Sequence, residues 1–490
     1  MPYIASYDFG TSSVKVVLVD FFGNISGSAS ASYTLLTPRD DWAEQDPEQF
    51  WAAACAATKQ VCKEINPKDV KAVAFGSQWK AVIPVDKWGN VLHNALIWLD
   101  GRAGKQAEEL NRRMGSDKLC NKDYWAKLMW IMEERPDIYE KTETFLEVNS
   151  FIKFRATGVK AVDISNDFIH AIDPEVQKEY DEIISAAGLD ITKFPPQVKP
   201  TFQVGELTNK AADELGLSKG TAVFGGCGDI PAIAIGAGCS RVGSMHLNIG
   251  SSGWAGIVME KRLTEGELHQ SLDVGREITL NALQAASMTF NKAIELFYRH
   301  EKETMGEGIF TFLEEETKCV PPGSLNMIAT PWPFGERPPL SNEARTVFFN
   351  VTNLHERKHF INAVMEGVYM HLRWKLELLE AGAGKKADAI RAVGGGASSS
   401  HWMQILSNIL QIPVYIPENA THSGAIGTAV CALIGLGELG GFDDAERMVS
   451  IERGFEPQKE HKDVYDRNYD VFLKLYPTTK GLFTALNRVK

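Results

Sequence analysis

Asp229 is the carboxylate whose surroundings best suit chemistry. It closes the segment Gly225-Gly226-Cys227-Gly228-Asp229, which ends an apolar run over 221–224. Further on, a second apolar run ends in Asn248-Ile249-Gly250-Ser251-Ser252-Gly253. Glycines let backbone N–H groups approach an anion closely. A carboxylate beside such a loop can act as a general base. The same residues also read as two ordinary strand-to-helix turns.

A related pattern opens the chain. Asp8-Phe9-Gly10-Thr11-Ser12-Ser13-Val14-Lys15 joins two apolar runs and predicts a hairpin with a tight polar tip. Gly10, Thr11, Ser12 and Ser13 offer N–H groups and three hydroxyls to a phosphate. Asp8, at the strand end, can hold a metal through water. The alternative is a hairpin whose tip is merely solvated. Residues 7–13 lie over residues 247–253 as a weak internal repeat, one copy opening each half. Two related halves facing each other would set both tips across one cleft.

Other elements must position these groups. Asp46-Pro47-Glu48-Gln49 starts a helix, with Asp46 as cap and Gln49 at the capping-box position. Trp51 on that helix belongs to the core. Predicted strands over 70–75, 81–85 and 95–99 end in Gln78-Trp79-Lys80, Asp86 and Asp100-Gly101-Arg102. Polar groups at such ends converge where α/β sheets bind ligands, so Gln78, Lys80, Asp100 and Arg102 are candidates. Each also reads as a surface loop residue. Residues 104–220 have a mostly helical pattern and read as scaffold. A proline-rich loop over 331–339 precedes a long helix over 359–379. A strand over 389–393 ends in Gly394-Gly395-Gly396-Ala397, which can lie flat against an adenosine or a phosphate. The small-residue helix over 423–436 reads as buried.

His355-Glu356-Arg357-Lys358-His359 fits the H-E-x-x-H zinc pattern. It stands at the charged start of the long helix, with no third ligand after it, and is read as a helix start.

The totals exclude several classes. The chain has 490 residues and a net charge of -12. That charge argues against non-specific nucleic-acid binding and anionic membranes. Seven cysteines are scattered without a C-x-x-C pair, which fits a reducing cytosol. The N-terminus lacks a signal-peptide pattern, and no apolar run is long enough for a membrane span.

The segments Asp8–Lys15, Trp98–Arg102, Gly226–Asp229, Asn248–Gly253, Gly335-Glu336-Arg337-Pro338-Pro339 and Gly394–Ala397 follow one another in an order that resembles the FGGY family of carbohydrate kinases. The resemblance spans nearly the whole chain. It implies an α/β fold of two ribonuclease-H/actin-like (Hsp70-like ATPase) domains around a deep cleft, here over residues 1–240 and 241–490. It implies ATP with Mg2+ and transfer of the γ-phosphoryl group to a sugar or polyol hydroxyl. By position, Asp229 is the expected base and Asp8 the residue near magnesium. Gly10, Thr11, Ser12 and Ser13 form the expected first phosphate loop, and Gly250 and Ser251 the second. Gly395, Gly396 and Ala397 fall on the adenosine side, with Ser400 as a base contact. Gln78, Trp79, Lys80 and Asp100 fall where the family contacts its sugar. Such kinases are commonly homodimers.

Two departures bear on the substrate. Family members acting on xylulose usually carry Met-His at Trp79-Lys80, and those acting on glycerol carry Arg-Glu. The family usually has a polar amide after the base, where this chain has Ile230. Lys80 either faces a hydroxyl-rich or acidic substrate or pairs with a neighbour. The expected acceptor is a ketopentose such as D-xylulose, with another sugar, polyol or sugar acid as the alternative. A non-catalytic sugar sensor and an actin-type chaperone or filament protein are the rival classes.

Overall fold

The apolar runs at the N-terminus form the strands Tyr3–Phe9, Ser13–Asp20 and Ile25–Ser32. The first two are buried along most of their length, as expected of strands covered on both faces. The third alternates between half-buried and exposed residues. The computed structural model describes residues 1–166, 170–171, 173–264, 266–337 and 340–487. Pro338 and Pro339 of the proline-rich motif lie outside the described residues.

The chain divides into two units. The first comprises residues 1–240, 270–277 and 422–448, and the second residues 241–269, 278–421 and 449–490.

The first unit is built on a six-stranded sheet. Its order is Gln203–Glu206, Ala222–Gly228, Val70–Ser77, Tyr3–Phe9, Ser13–Asp20, Ile25–Ser32. The three central strands, Ala222–Gly228, Val70–Ser77 and Tyr3–Phe9, are parallel, and the flanking ones antiparallel. Helix Pro47–Val61 covers the sheet with Phe50, Trp51, Ala54 and Ala57. Asp46 caps it by accepting the Glu48 N–H at 2.9 Å. Gln49 does not close a capping box, because its Oε1 accepts the Thr34 N–H instead. Trp51 is core, and its indole donates to Glu214.

Helices Asp229–Gly236 and Ser423–Gly435 meet through glycines. A methyl on Gly427 would lie 1.9 Å from the Ala232 carbonyl oxygen, so only glycine permits this approach. The small-residue composition of 423–435 thus serves a close helix contact.

The second unit repeats this topology. From one edge its sheet reads Ile451–Phe455, Val414–Pro417, Ile390–Val393, Met245–Ile249, Gly253–Met259, Arg276–Leu283, Leu268–Asp273, residues 270–277 of the last two strands being counted in the first unit. Met245–Ile249 is antiparallel to Gly253–Met259 and parallel to Ile390–Val393, as Tyr3–Phe9 is to its neighbours. Val414–Pro417 continues the parallel set, and Ile451–Phe455 closes it antiparallel. The weak sequence repeat therefore marks two copies of one sheet. The long helix Arg357–Ala383 buries Val364, Val368, Leu372 and Leu376 in this unit's core.

Two expectations change. The segments expected over 81–85 and 95–99 shorten to Ile83–Val85 and Ala95–Leu96, and they pair in separate two-stranded sheets. Pro84 lacks a ladder donor, which suits a short edge strand. Within 104–220, Gln203–Glu206 joins the main sheet rather than remaining helical scaffold. Among the described residues no helix is long and apolar enough to cross a membrane.

Candidate active site

In the first unit, parallel register brings three chain segments to one end. Gly228 pairs with Ser77, and Ser77 pairs with Phe9. Gln78, Gly10 and Asp229 are the next residues along each strand, at the carboxyl ends where such sheets bind ligands.

The Gly10–Ser13 turn has its carbonyls engaged from behind. Phe9 O accepts the Gln78 N–H at 2.8 Å, and Ser12 O accepts the Tyr33 N–H at 3.1 Å. Thr11 O accepts Gln45 Nε2 at 2.6 Å. The Tyr33 hydroxyl donates to Gly10 O and Ser13 O. The Gly10 N–H is itself spent on Ser13 O at 3.0 Å, so the groups the turn can offer an anion are its remaining N–H groups and hydroxyls. Trp98 Nε1 donates to Thr11 Oγ1 at 3.1 Å, which leaves the Thr11 proton for another acceptor.

Asp229 is the first residue of its helix, and its Oδ1 accepts the Ile230 N–H at 3.0 Å. Burial, reinforced by the negative charge of Asp8, pushes its carboxyl up to about 7. Asp8 is also raised by burial, partly offset by Lys15. A methyl on Gly424 would lie 2.8 Å from Asp8 Oδ2, so the start of helix Ser423–Gly435 abuts this carboxylate. Two buried carboxylates thus share one field, in which Lys15 supplies a positive charge to Asp8.

The residues expected at the sugar divide into two groups. Gln78 is buried, and its Nε2 donates to Gln45 Oε1 at 2.8 Å. Trp79 Nε1 donates to Asn166 O at 2.8 Å. Lys80 forms an ion pair with Asp123, and its ammonium lies 4.7 Å from the Trp79 ring centroid. Its backbone is left-handed, with φ 62. The Tyr124 hydroxyl holds the Lys80 N–H, and Lys127 Nζ holds its carbonyl. Asp100 is fully buried and accepts Ala43 N–H at 2.7 Å and Arg102 Nε at 2.9 Å. Arg102 also binds Glu44 and lies 3.8 Å from the Trp42 ring centroid. Gln78 and Trp79 therefore stand at the strand end with their nitrogens bonded, while the charges of Lys80, Asp100 and Arg102 are paired with other protein groups.

In the second unit, the Gly250 and Ser251 carbonyls are also held from behind. Ser287 N–H donates to Gly250 O at 3.0 Å, and Ala286 N–H to Ser251 O at 2.9 Å. The Gly394–Ala397 turn packs on the same strand. A methyl on Gly394 would lie 2.8 Å from Ile249 O, and one on Gly396 would lie 2.3 Å from Ile249 Cγ2. Beside Gly395 a methyl would meet nothing within 4 Å, so this face is open. Ser399 caps helix Ser400–Leu410, and Ser400 Oγ accepts Arg453 Nη1 at 3.0 Å. Arg453 also binds the Ala397 and Ser398 carbonyls.

The H-E-x-x-H match is a capping box. Glu356 accepts the His359 N–H, and His359 Nδ1 accepts the Glu356 N–H at 2.9 Å. His355 Nε2 meets Ser324 O at 3.1 Å. Among the described residues no cluster of His, Cys, Asp and Glu has metal-site geometry.

Several contributors escaped the sequence reading: Tyr33, Gln45 and Arg453. Each acts across 15 or more intervening residues, so no local spacing signals it. Trp98 stood inside a motif, but its bond to Thr11 did not show.

A sheet repeated in two units, each with a glycine- and hydroxyl-bearing hairpin next to a parallel strand, is the actin-like ATPase fold. The chain belongs to the FGGY family of carbohydrate kinases, matching its N-terminal domain over residues 3–236 and its C-terminal domain over residues 270–436. It is 27% identical to the xylulose kinase of Bacillus subtilis (strain 168), over 99% of both chains. It is 25% identical to the gluconokinase of the same organism, over 99% of this chain and 97% of that one. The solved structure of a ligand-bound xylulose kinase from Lactobacillus acidophilus superposes with TM-score 0.88 at 20% identity, covering 99% of this chain and 100% of the other. The protein is thus a sugar kinase, with ATP as the donor that the family implies.

Proposed function

We propose that the protein transfers the γ-phosphoryl group of ATP to a hydroxyl of a ketopentose such as D-xylulose, with Asp229 as general base. The observation that carries this is the state of Asp229. Its carboxyl sits at a strand end and is raised to about 7 by burial and Asp8. A base poised near the working pH is both ionised and able to take a proton.

Phosphoryl transfer needs positioning and charge stabilisation more than covalent help. In the turn that Gly10 opens, Thr11, Ser12 and Ser13 supply N–H groups and hydroxyls to one part of the triphosphate, Gly10 giving the close approach that a residue without a side chain allows. Gly250 and Ser251 supply a second set, and Gly395, Gly396, Ala397 and Ser400 take the adenosine side. Residues 1–240 then carry the sugar site, first loop and base, and residues 241–490 the second loop and adenosine site. Two buried carboxylates with little nearby positive charge suit a magnesium ion, held at Asp8 through water. Such an ion would offset the charge of the phosphates. Gln78 and Trp79 are the proposed sugar contacts, and Lys80 and Asp100 shape the wall behind them. The free cysteines agree with a cytosolic enzyme.

A sugar acid is the second reading, motivated by the similarity to gluconokinases. The pairing of Lys80 with Asp123 weighs against it, since the cation is already neutralised. ADP release with MgATP, across ketoses, aldoses, polyols and sugar acids, tests both. Asp229-dependent turnover of a ketopentose supports the proposal. Preference for an aldonate selects the second reading, and sugar binding without ADP release would point to a sensor.

A further inference from the structure

Gln270, on strand Leu268–Asp273, is fully buried. Neither its Oε1 nor its Nε2 has a hydrogen-bond partner among the described residues. Burying an amide without partners is costly, so such a group calls for an explanation. The amide lies against Gly228. A methyl there would be 2.6 Å from Nε2 and 3.3 Å from Oε1. Gly228 immediately precedes Asp229.

Two more buried amide oxygens near Gly228 have no partner among the described residues, Gln78 Oε1 and Asn166 Oδ1. Gln78 follows Ser77, the strand partner of Gly228. Asn166 follows Ser165, whose Oγ accepts the Gly228 N–H. The nitrogens of both amides are occupied, Gln78 Nε2 by Gln45 and Asn166 Nδ2 by Asp163. Their free atoms are therefore acceptors.

We propose that Gln270 binds the acceptor substrate, and that its amide, with the oxygens of Gln78 and Asn166, selects a neutral polyhydroxylated molecule over a sugar acid. This rests on the kinase reading of Asp229 and adds the groups that choose its substrate. A hydroxyl both donates and accepts, so it can satisfy Oε1 and Nε2 of Gln270 and the two lone oxygens. A carboxylate only accepts. It would face those oxygens and the Asp8 and Asp229 carboxyls, while the Lys80 charge is spent on Asp123. In a water-poor site such mismatches discriminate strongly.

The test compares wild type, Gln270→Met and Asp229→Asn in sugar-dependent ADP release, with D-xylulose and D-gluconate as probes. Gln270→Met should raise the D-xylulose KM at least tenfold and leave the ATP KM within twofold. It should also raise Tm, because an unpaired buried amide becomes a packed thioether. An unchanged D-xylulose KM overturns the proposal. A lowered Tm with equal effects on both KM values assigns Gln270 to the core and overturns it as well. Wild-type preference for D-gluconate overturns the neutral-acceptor part. If Gln270→Met does not fold, Gln270→Glu answers the same question, since it keeps an acceptor and loses the donor. An Asp229→Asn rate within a few-fold of wild type removes the base while leaving the Gln270 effect on KM readable. No sugar-dependent turnover by wild type overturns both.

Discussion

The hydroxyl of Ser165 accepts a hydrogen bond from the Gly228 N–H at 2.8 Å, one residue before Asp229. Ser165 in turn donates to Asp163. Asp163 also accepts Asn149 Nδ2 at 2.7 Å and pairs with Lys153 at 3.4 Å. Lys153 Nζ donates to Gly225 O at 2.7 Å, at the register shift between Phe224 and Cys227. Strand Ala222–Gly228 is thereby pinned at its bulge and at its end. Ser165→Ala leaves the buried Gly228 N–H unpaired, a cost of about 1–3 kcal/mol. Thermal unfolding should show that loss, kcat should fall several-fold, and Ser165→Thr should restore both. An alanine variant with wild-type Tm and kcat would sever the link.

Asp229→Asn should lower kcat by roughly 10²–10⁴, with the ATP KM little changed. The wild-type rate should rise with pH through about 7 as the carboxyl ionises. A residual rate in the variant should lack that step.

The same group makes a stability prediction. Its folded-state value of about 7 lies above the 3.8 of a free aspartate. A raised carboxyl favours folding while it stays protonated, so its contribution is full below pH about 4 and is lost as pH rises through about 7. Asp229→Asn should therefore gain on wild type between pH 4 and pH 8, by at most about 4 kcal/mol. Denaturant unfolding at both pH values checks the sign, and an equal difference at the two would refute it.

Gly427→Ala should destabilise strongly, because the added methyl would sit 1.9 Å from Ala232 O and force two helices apart. A loss of about 3 kcal/mol is expected, or roughly 3–5 °C in Tm. Gly441→Ala meets nothing within 4 Å and serves as the neutral control.

His355, Glu356 and His359 should bind no zinc. A zinc-selective chelator should leave activity unchanged, whereas EDTA should abolish it until Mg2+ is restored. His359→Ala should cost about 0.5–2 kcal/mol, the range of a lost cap, without altering metal dependence. Zinc in stoichiometric amount in the purified protein would contradict the capping-box assignment.

Much of this protein was legible in its sequence because the signals are local. The hairpin around Gly10–Ser13 and its echo around Gly250–Ser252 follow from apolar runs broken by glycine and hydroxyl residues. The cap at Asp46 needs only neighbours in sequence. Even the H-E-x-x-H match was resolved by its place at a helix start.

What only tertiary structure decided are partnerships made across long stretches of chain. Lys80 and Asp100 carry charges that could face a ligand, but packing sets Asp123, 43 residues away, on Lys80 and the Ala43 N–H, 57 residues away, on Asp100. Gln45 joins Gln78 to the Gly10–Ser13 turn only because the fold brings three segments together. The raised carboxyl of Asp229 depends on burial and on Asp8, at the far end of the chain's first half. Turn chemistry and periodicity depend on adjacent residues, so a sequence displays them. Burial, charge proximity and unsatisfied amides depend on which surfaces meet, and only the folded chain determines that.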